Sequence, residues 1–198
     1  MSCIFLAITV SILSCKQDNS DSNNEESAKS EDNMNDNIQS TFFGVSFGDS
    51  EEQLFNSLKN HGFGETSSFN DEANNTYFVF RSTESKLFSF GNMSWEFLRI
   101  GINNNKKFFS IEFISVFEKE EEAKQKYEDI LETITKKYKV APDKKPDFNF
   151  YAIQKGYDKN NRQISLLYSH EENYGIESNN AYLGYKDLEL AEEGSDEL

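Results

Sequence analysis

Cysteine is nearly absent from these 198 residues: Cys3 and Cys15 are the only two, both close to the start. That excludes a disulfide-stapled scaffold and a zinc site built on paired cysteines. Histidine is as scarce, with His61 and His170 alone, and no helical His pair of the metalloprotease kind occurs. No G-x-S-x-G, P-loop or dinucleotide fingerprint is present either. Long apolar runs are missing too. The apolar stretch near the start, residues 3 to 13 (CIFLAITVSIL), is eleven residues without a charge. At ~1.5 Å per residue that covers roughly half of a ~30 Å hydrocarbon core, too little to span a membrane. Concentrated positive charge is also lacking. The nearest clusters are Lys136, Lys137, Lys139 and Lys144, Lys145, and the first group sits where a helix should end and the dipole favours lysine. No nucleic-acid partner is expected, because phosphate binding needs a concentrated basic surface.

Negative charge is plentiful but uneven. The formal net charge is -15. Residues 16 to 40 carry a net of -5 and residues 187 to 198 a net of -6, leaving only -4 on residues 41 to 186. The acidity therefore lies mostly in the two ends, and the body between them is close to balanced.

The eleven apolar residues have the length of a secretory-signal core. Ile12-Leu13-Ser14-Cys15 then resembles the lipobox of bacterial lipoproteins, with an aliphatic residue three before the cysteine and a small one just before it. Leu13 and the lack of any Lys or Arg before Cys15 depart from that pattern. The resemblance implies a signal over residues 1 to 14, removed before Cys15, and acylation of the Cys15 thiol. A signal cut by ordinary signal peptidase and a cytosolic chain with a greasy start are the alternatives. With Cys3 removed and Cys15 acylated, no disulfide, cysteine nucleophile or cysteine metal site remains. Residues 15 to 40 then read as a lipidated cysteine and a disordered acidic tether, since they offer almost nothing apolar to bury. Its typical reach is roughly 25 to 30 Å. The expected address is the bacterial cell envelope, anchored by lipid at the outer membrane, on the periplasmic side or the cell surface.

Aromatic residues are abundant in the body, where 17 of the 18 phenylalanines fall between Phe42 and Phe150. Such residues favour half-buried pleated surfaces. Phe43, Val45 and Phe47 alternate as a strand. Ser50-Glu51-Glu52-Gln53 fits a capping box, Leu54, Phe55 and Leu58 share a helix face, and Gly62 ends that helix. Strand-like runs follow at Thr76 to Arg81, Trp95 to Ile102 and Phe108 to Phe117, the last two joined by an Asn103-Asn104-Asn105 turn. Lys86 to Gly91 is a further short strand candidate. The stripe Ala123, Tyr127, Ile130, Leu131, Ile134 and Tyr138 predicts a helix from about Glu118 to Lys139, closed by Pro142 and Pro146. Asn149 to Lys155, Gln163 to Tyr168 and Ala181 to Tyr185 read as three more strands, with the first turn at Asp158-Lys159-Asn160-Asn161.

The expected fold is therefore α+β, an antiparallel sheet with helices packed on one face, in two helix-plus-three-strand repeats. It occupies residues 41 to 186 as a single domain, with a disordered acidic tail over 187 to 198. This order resembles the tandem helix-plus-antiparallel-sheet repeat of beta-lactamase inhibitor proteins, and half of it resembles small outer-membrane assembly lipoproteins. The resemblance implies a layered module with a sheet face available for binding.

Candidate chemistry is sparse. His170 with Glu171 and Glu172 is the one arrangement that approaches a metal site, and it lacks supporting spacing. Asp18 to Ser22 and Asp158 to Arg162 lack the glycine and distal glutamate of an EF-hand loop. No metal, cofactor or catalytic residue is expected. Core filling accounts for most of the aromatic surplus, and some of Phe88, Phe90, Trp95 and Phe97, around Gly91, are the candidate exposed patch for a protein partner. The function expected is a lipid-anchored binding module for a protein partner, of inhibitor, immunity or assembly-accessory type. A small-ligand-binding lipoprotein and a hydrolase without recognisable motif are the alternatives.

Overall fold

The computed structural model describes residues 34–143, 150–173 and 176–193. Cys15, its lipobox and most of the expected tether lie outside the described residues, as do the side chains of Glu171 and Glu172.

The chain opens with β1 (Met34–Asn35), β2 (Thr41–Phe42), β3 (Val45–Ser46) and α1 (Glu51–Asn60). It continues through β4 (Phe63–Asn70), β5 (Thr76–Ser82), β6 (Phe88–Phe90), β7 (Met93–Trp95), β8 (Phe97–Ile102) and β9 (Phe108–Phe117). Then come α2 (Glu120–Thr135), β10 (Ala141–Pro142), β11 (Phe150–Asp158), β12 (Arg162–Asn173), β13 (Ile176–Asp187) and α3 (Leu188–Glu192). The fold is mixed α+β, dominated by one nine-stranded sheet in the order β1-β11-β12-β13-β9-β8-β5-β4, with β10 also on β11. Among the described strands only β1 with β11 is parallel. The chain runs β4, β5, β8, β9 from one edge to the middle and β11, β12, β13 from the other, and β9 meets β13 antiparallel.

Local signals explain most elements. Ser50 caps α1 through the Gln53 amide, while the Gln53 side chain accepts from the Ser50 amide, so the capping box forms. Leu54 and Leu58 face inward without exposure, and Gly62 leaves the helix at φ +77°. The expected strand at Phe43 to Phe47 is instead a tight hairpin of β2 and β3. Phe43 and Gly44 both adopt left-handed backbone there, with φ of 52° and 78°, and reverse the chain.

Four sheet strands follow α1, not three. The extra one, β4, reads Gly-Glu-Thr-Ser-Ser-Phe-Asn after Phe63 and lacks an apolar alternation because it is the edge strand, largely exposed. Helix α2 stops at Thr135, short of Lys139. There the chain peels away to the side chain of Asn35, whose Nδ2 donates to the Lys139 carbonyl at 3.0 Å and whose Oδ1 accepts from the Lys139 amide at 2.6 Å. Tyr138 stays buried beyond the helix end.

Both expected limits of the domain move outward. Ile38, inside the segment read as tether, is fully buried, and its amide donates to Asp158 Oδ2 at 2.7 Å. Ile38 and the buried Asp158 carboxylate, together with the β1 pairing and the Asn35 bonds, hold residues 34 to 40 to the sheet. At the other end, Asp187 caps α3 by accepting from the Leu190 amide, Ala191 is buried, and Asn103 Nδ2 donates to the Leu190 carbonyl at 2.8 Å. Residues 187 to 193 are thus part of the fold rather than tail.

The core sits on cross-strand rows. Phe80, Leu98, Phe113, Leu183 and Leu166 lie side by side across β5, β8, β9, β13 and β12, and Phe78, Ile100, Ile111, Tyr185 and Ile164 form the next row. Leu54 and Leu58 of α1 and Ala123, Tyr127, Ile130 and Ile134 of α2 join the same cluster.

Candidate interaction surface

The four aromatic residues expected to form one patch are divided between two sides of the structure. Strands β6 and β7 make a separate two-stranded ribbon turning at Gly91 and Asn92, both left-handed. Its aromatic side chains point into the core. Phe90 stacks on Phe113 with centroids 3.9 Å apart, and Phe88 meets Phe63 edge-on at 4.9 Å. Trp95 is 0 % exposed, and its Nε1 donates to the Phe90 carbonyl at 3.0 Å. Core filling is therefore the role of Phe88, Phe90 and Trp95, and Trp95 offers no surface to a partner. Lys126 of α2 closes over this ribbon: its Nζ lies 4.5 Å from the Trp95 ring centre and donates to the Ser94 carbonyl at 2.9 Å. Burial lowers its pKa, with Asp129 opposing.

Phe97 points the other way. The Glu96 amide donates to the Ile114 carbonyl as the chain enters β8, and alternation then places Phe97 with Ile114 and Tyr182 in a row across β8, β9 and β13. The neighbouring row is Val79, Arg99, Glu112, Gly184 and Ser165, and the next contains Tyr77, Gly101, Ser110 and Lys186. These rows are the pleat positions alternate to the core rows.

Three cations on this face each lie over an aromatic ring. Arg81 is 5.4 Å from the Phe97 centroid, Arg99 is 5.6 Å from that of Tyr182, and Lys186 is 5.6 Å from that of Phe109. Arg99 also donates through Nε and Nη2 to the Glu112 carboxylate. Burial disfavours the Arg99 charge, but Glu112, with Tyr182 and Tyr77, more than offsets it, so the pKa lies above the ordinary arginine value. Arg81 pairs with Glu96 at 3.6 Å. Tyr77 stacks on Phe69 at 5.5 Å and meets Phe109 edge-on at 5.8 Å. Burial, followed by Asp71 and Glu112, pushes its phenol above the usual range, so it stays neutral. Gly101 is required beneath this group: a Cβ there would come within 2.2 Å of Ser110 Oγ and 2.7 Å of the Phe109 ring.

Sequence reading named Phe97 but missed Arg99 and Glu112. A signal existed. They are the only charged residues within β8 and β9, of opposite sign, on the two strands that flank the Asn103-Asn105 turn.

The histidines serve locally. His61 is the C-cap of α1, with Nδ1 2.8 Å from the Ser57 carbonyl. His170 Nδ1 lies 2.9 Å from Asn179 Oδ1, and the Asn179 amide reaches the Glu118 carbonyl at 3.3 Å. Among the described residues no three His, Cys, Asp or Glu side chains gather as a metal site, and no helix is long and apolar enough to cross a membrane. A shallow depression of about 390 Å³ on α2, lined by Phe117, Glu121, Glu122, Gln125, Lys126 and Asp129, opens widely to solvent.

Compared with protein-family models, curated proteins and solved structures, the chain matches none.

Proposed function

We propose that this chain is a lipid-anchored binding module of the bacterial cell envelope that docks a protein partner, acting as an inhibitor, immunity or assembly-accessory protein. Its docking surface is the sheet face carrying Tyr77, Val79, Arg81, Phe97 and Arg99, with the buried Tyr182 supporting Arg99 from beneath. In this reading two units, α1 with β4, β5, β8 and β9 and α2 with β10 to β13, join back to back at β9 and β13. Both helices lie over the core rows and leave the alternate face to the partner. Cys15 carries the lipid, and the acidic segment after it is the tether.

The observation that carries the reading is the make-up of that face. Tyrosine and arginine are enriched in binding hot spots and phenylalanine in interfaces generally, and here each arginine is held over a ring and against a carboxylate. Side chains fixed before docking lose little further entropy on binding.

The docking test uses the full chain as bait in envelope extract, alongside Val79→Glu. A stoichiometric partner captured by wild type and lost in the variant supports the surface. Recovery of no stoichiometric partner, together with turnover of a generic substrate panel, overturns it. Anchoring has a separate test: Cys15→Ala should abolish the lipid mass and the detergent partitioning, and an unchanged mature mass would refute it.

A further inference from the structure

The two edges of the sheet end differently. On β11, the parallel strand β1 sits against Tyr157 and Asp158, β10 sits against Lys155 and Gln154, and Lys155 is bridged to Asp143. That edge is covered by two short pieces, one ending in Pro142, and carries the Lys155–Asp143 pair, the usual protection against adding strands. On the other side the sheet stops at β4, eight residues paired only with β5 among those described. Its outer backbone groups face solvent, and Glu65, Ser67, Ser68 and Asn70 are exposed. The strand has no lysine, arginine or proline, and Glu65 is its only charge. Its one protective device is a bulge between Glu65 and Ser67, where Thr66 Oγ1 turns back to the Val79 carbonyl at 3.0 Å. The bulge leaves Ser67 to Asn70 in regular register with Val79, Phe78, Tyr77 and Thr76.

We propose that β4 pairs antiparallel with β4 of a second copy of this chain, joining two sheets through Ser67 to Asn70. The occupant follows from the strand's own chemistry. A two-fold axis normal to the sheet through Ser68 sets Ser68 opposite Ser68 of the second copy and Ser67 opposite Phe69, on matching faces. From Ser67 to Phe69 no like charges meet, and just beyond, Glu65 falls opposite Asp71 of the second copy, a repulsion that keeps the pairing short. Phe69, fixed on Tyr77, covers the small Ser67 side chain of the other copy, a favourable aromatic cross-strand neighbour. The pairing is short, so the association is weak and concentration-dependent. It strengthens with added salt, because two chains of net charge -15 repel at long range.

Sedimentation equilibrium of the full chain in density-matched detergent tests the proposal, with Ser68→Lys and Ser68→Cys in parallel. Wild type should shift toward twice the monomer mass as concentration and salt rise. Ser68→Lys puts two ammonium groups face to face and should weaken association at least ten-fold with an unchanged thermal midpoint, since Ser68 is exposed. Ser68→Cys should form a disulfide between the two copies, identified as a linked peptide by mass spectrometry, because directly opposed Cα atoms fall within disulfide range. A monomer at every concentration, association that survives Ser68→Lys, or a folded Ser68→Cys chain that never cross-links through the introduced thiol overturns it.

Discussion

Phe42, Phe90, Phe108 and Phe113 meet ring to ring on the first half of the sheet, whereas Tyr127, Tyr138, Tyr168 and Tyr185 occupy the second. Tyr185 is the joint between them, 5.0 Å from Phe42 and 6.4 Å from Tyr138. Phenylalanine contributes only apolar area and ring geometry, so the first half can pack without hydrogen-bond accounting. Each tyrosine adds a hydroxyl that has to be satisfied or left unsatisfied at a cost. Two ways of filling one continuous core therefore lie side by side, and they should respond differently to substitution.

The largest effect belongs to Phe113. It is fully buried and contacts Phe42, Phe88, Phe90, Trp95 and Tyr185. Phe113→Ala should lower stability by about 3–5 kcal/mol, measured by urea unfolding with Trp95 fluorescence. Loss of structure in both halves at the same urea concentration would mark one cooperative unit. Separate transitions would split the comparison into two domains.

The edge that closes the second half comes next. Ile38→Ala removes a fully buried side chain whose backbone is held by Asp158, and it should cost about 2–5 kcal/mol. Hydrogen exchange should show the β11 amides losing protection before those of β5. Uniform loss across the sheet would mean that the amino-terminal segment supports the whole fold rather than its own edge.

The helices make a smaller, opposed pair. Ser50 caps α1 with a complete box, whereas Lys119 stands at the α2 N-cap with no side-chain bond. Ser50→Ala should therefore cost about 1 kcal/mol, and Lys119→Ser should gain about 0.5–1 kcal/mol. The lost Lys119–Glu122 pair, at 3.6 Å and well exposed, subtracts little. Thermal midpoints that move in the same direction for both variants would refute the asymmetry.

Legibility follows the same physical lines. Strand β9 matches its expected range, Phe108 to Phe117, because a central strand is apolar on both faces and long enough to stand out. The α1 cap and the α2 stripe were readable because both are local. Strand β4 was not, since an exposed edge strand needs no apolar alternation. Residues 34 to 40 were not, because a single isoleucine among polar neighbours gives no period. Within the candidate surface, Phe97 was named for its composition, but its separation from Trp95 depends on where the ribbon ends and β8 begins. Only the register of β8 on β9 decides that. Arg99 and Glu112 required pairing the two strands of a hairpin rather than reading each alone. The bulge at Gly101 and Ile102 shifts that register by one residue and turns Phe109 onto the surface face with Tyr77, opposite to its simple alternation.

The finest test of the contrast is Tyr138→Phe. The Tyr138 hydroxyl is buried and makes no hydrogen bond among the described residues, so the fold already bears the cost of removing it from water. Burial, and Tyr138 after it, hold the Tyr185 phenol above its usual pKa, so that hydroxyl is neutral too. Deleting an unsatisfied neutral group takes away a penalty and leaves the ring contact with Tyr185 in place. Tyr138→Phe should therefore raise stability by up to about 1 kcal/mol, visible as a higher urea midpoint at unchanged slope. A loss of similar size would mean the hydroxyl has a partner in solution, such as an ordered water, and the tyrosine half would then be as fully satisfied as the phenylalanine half.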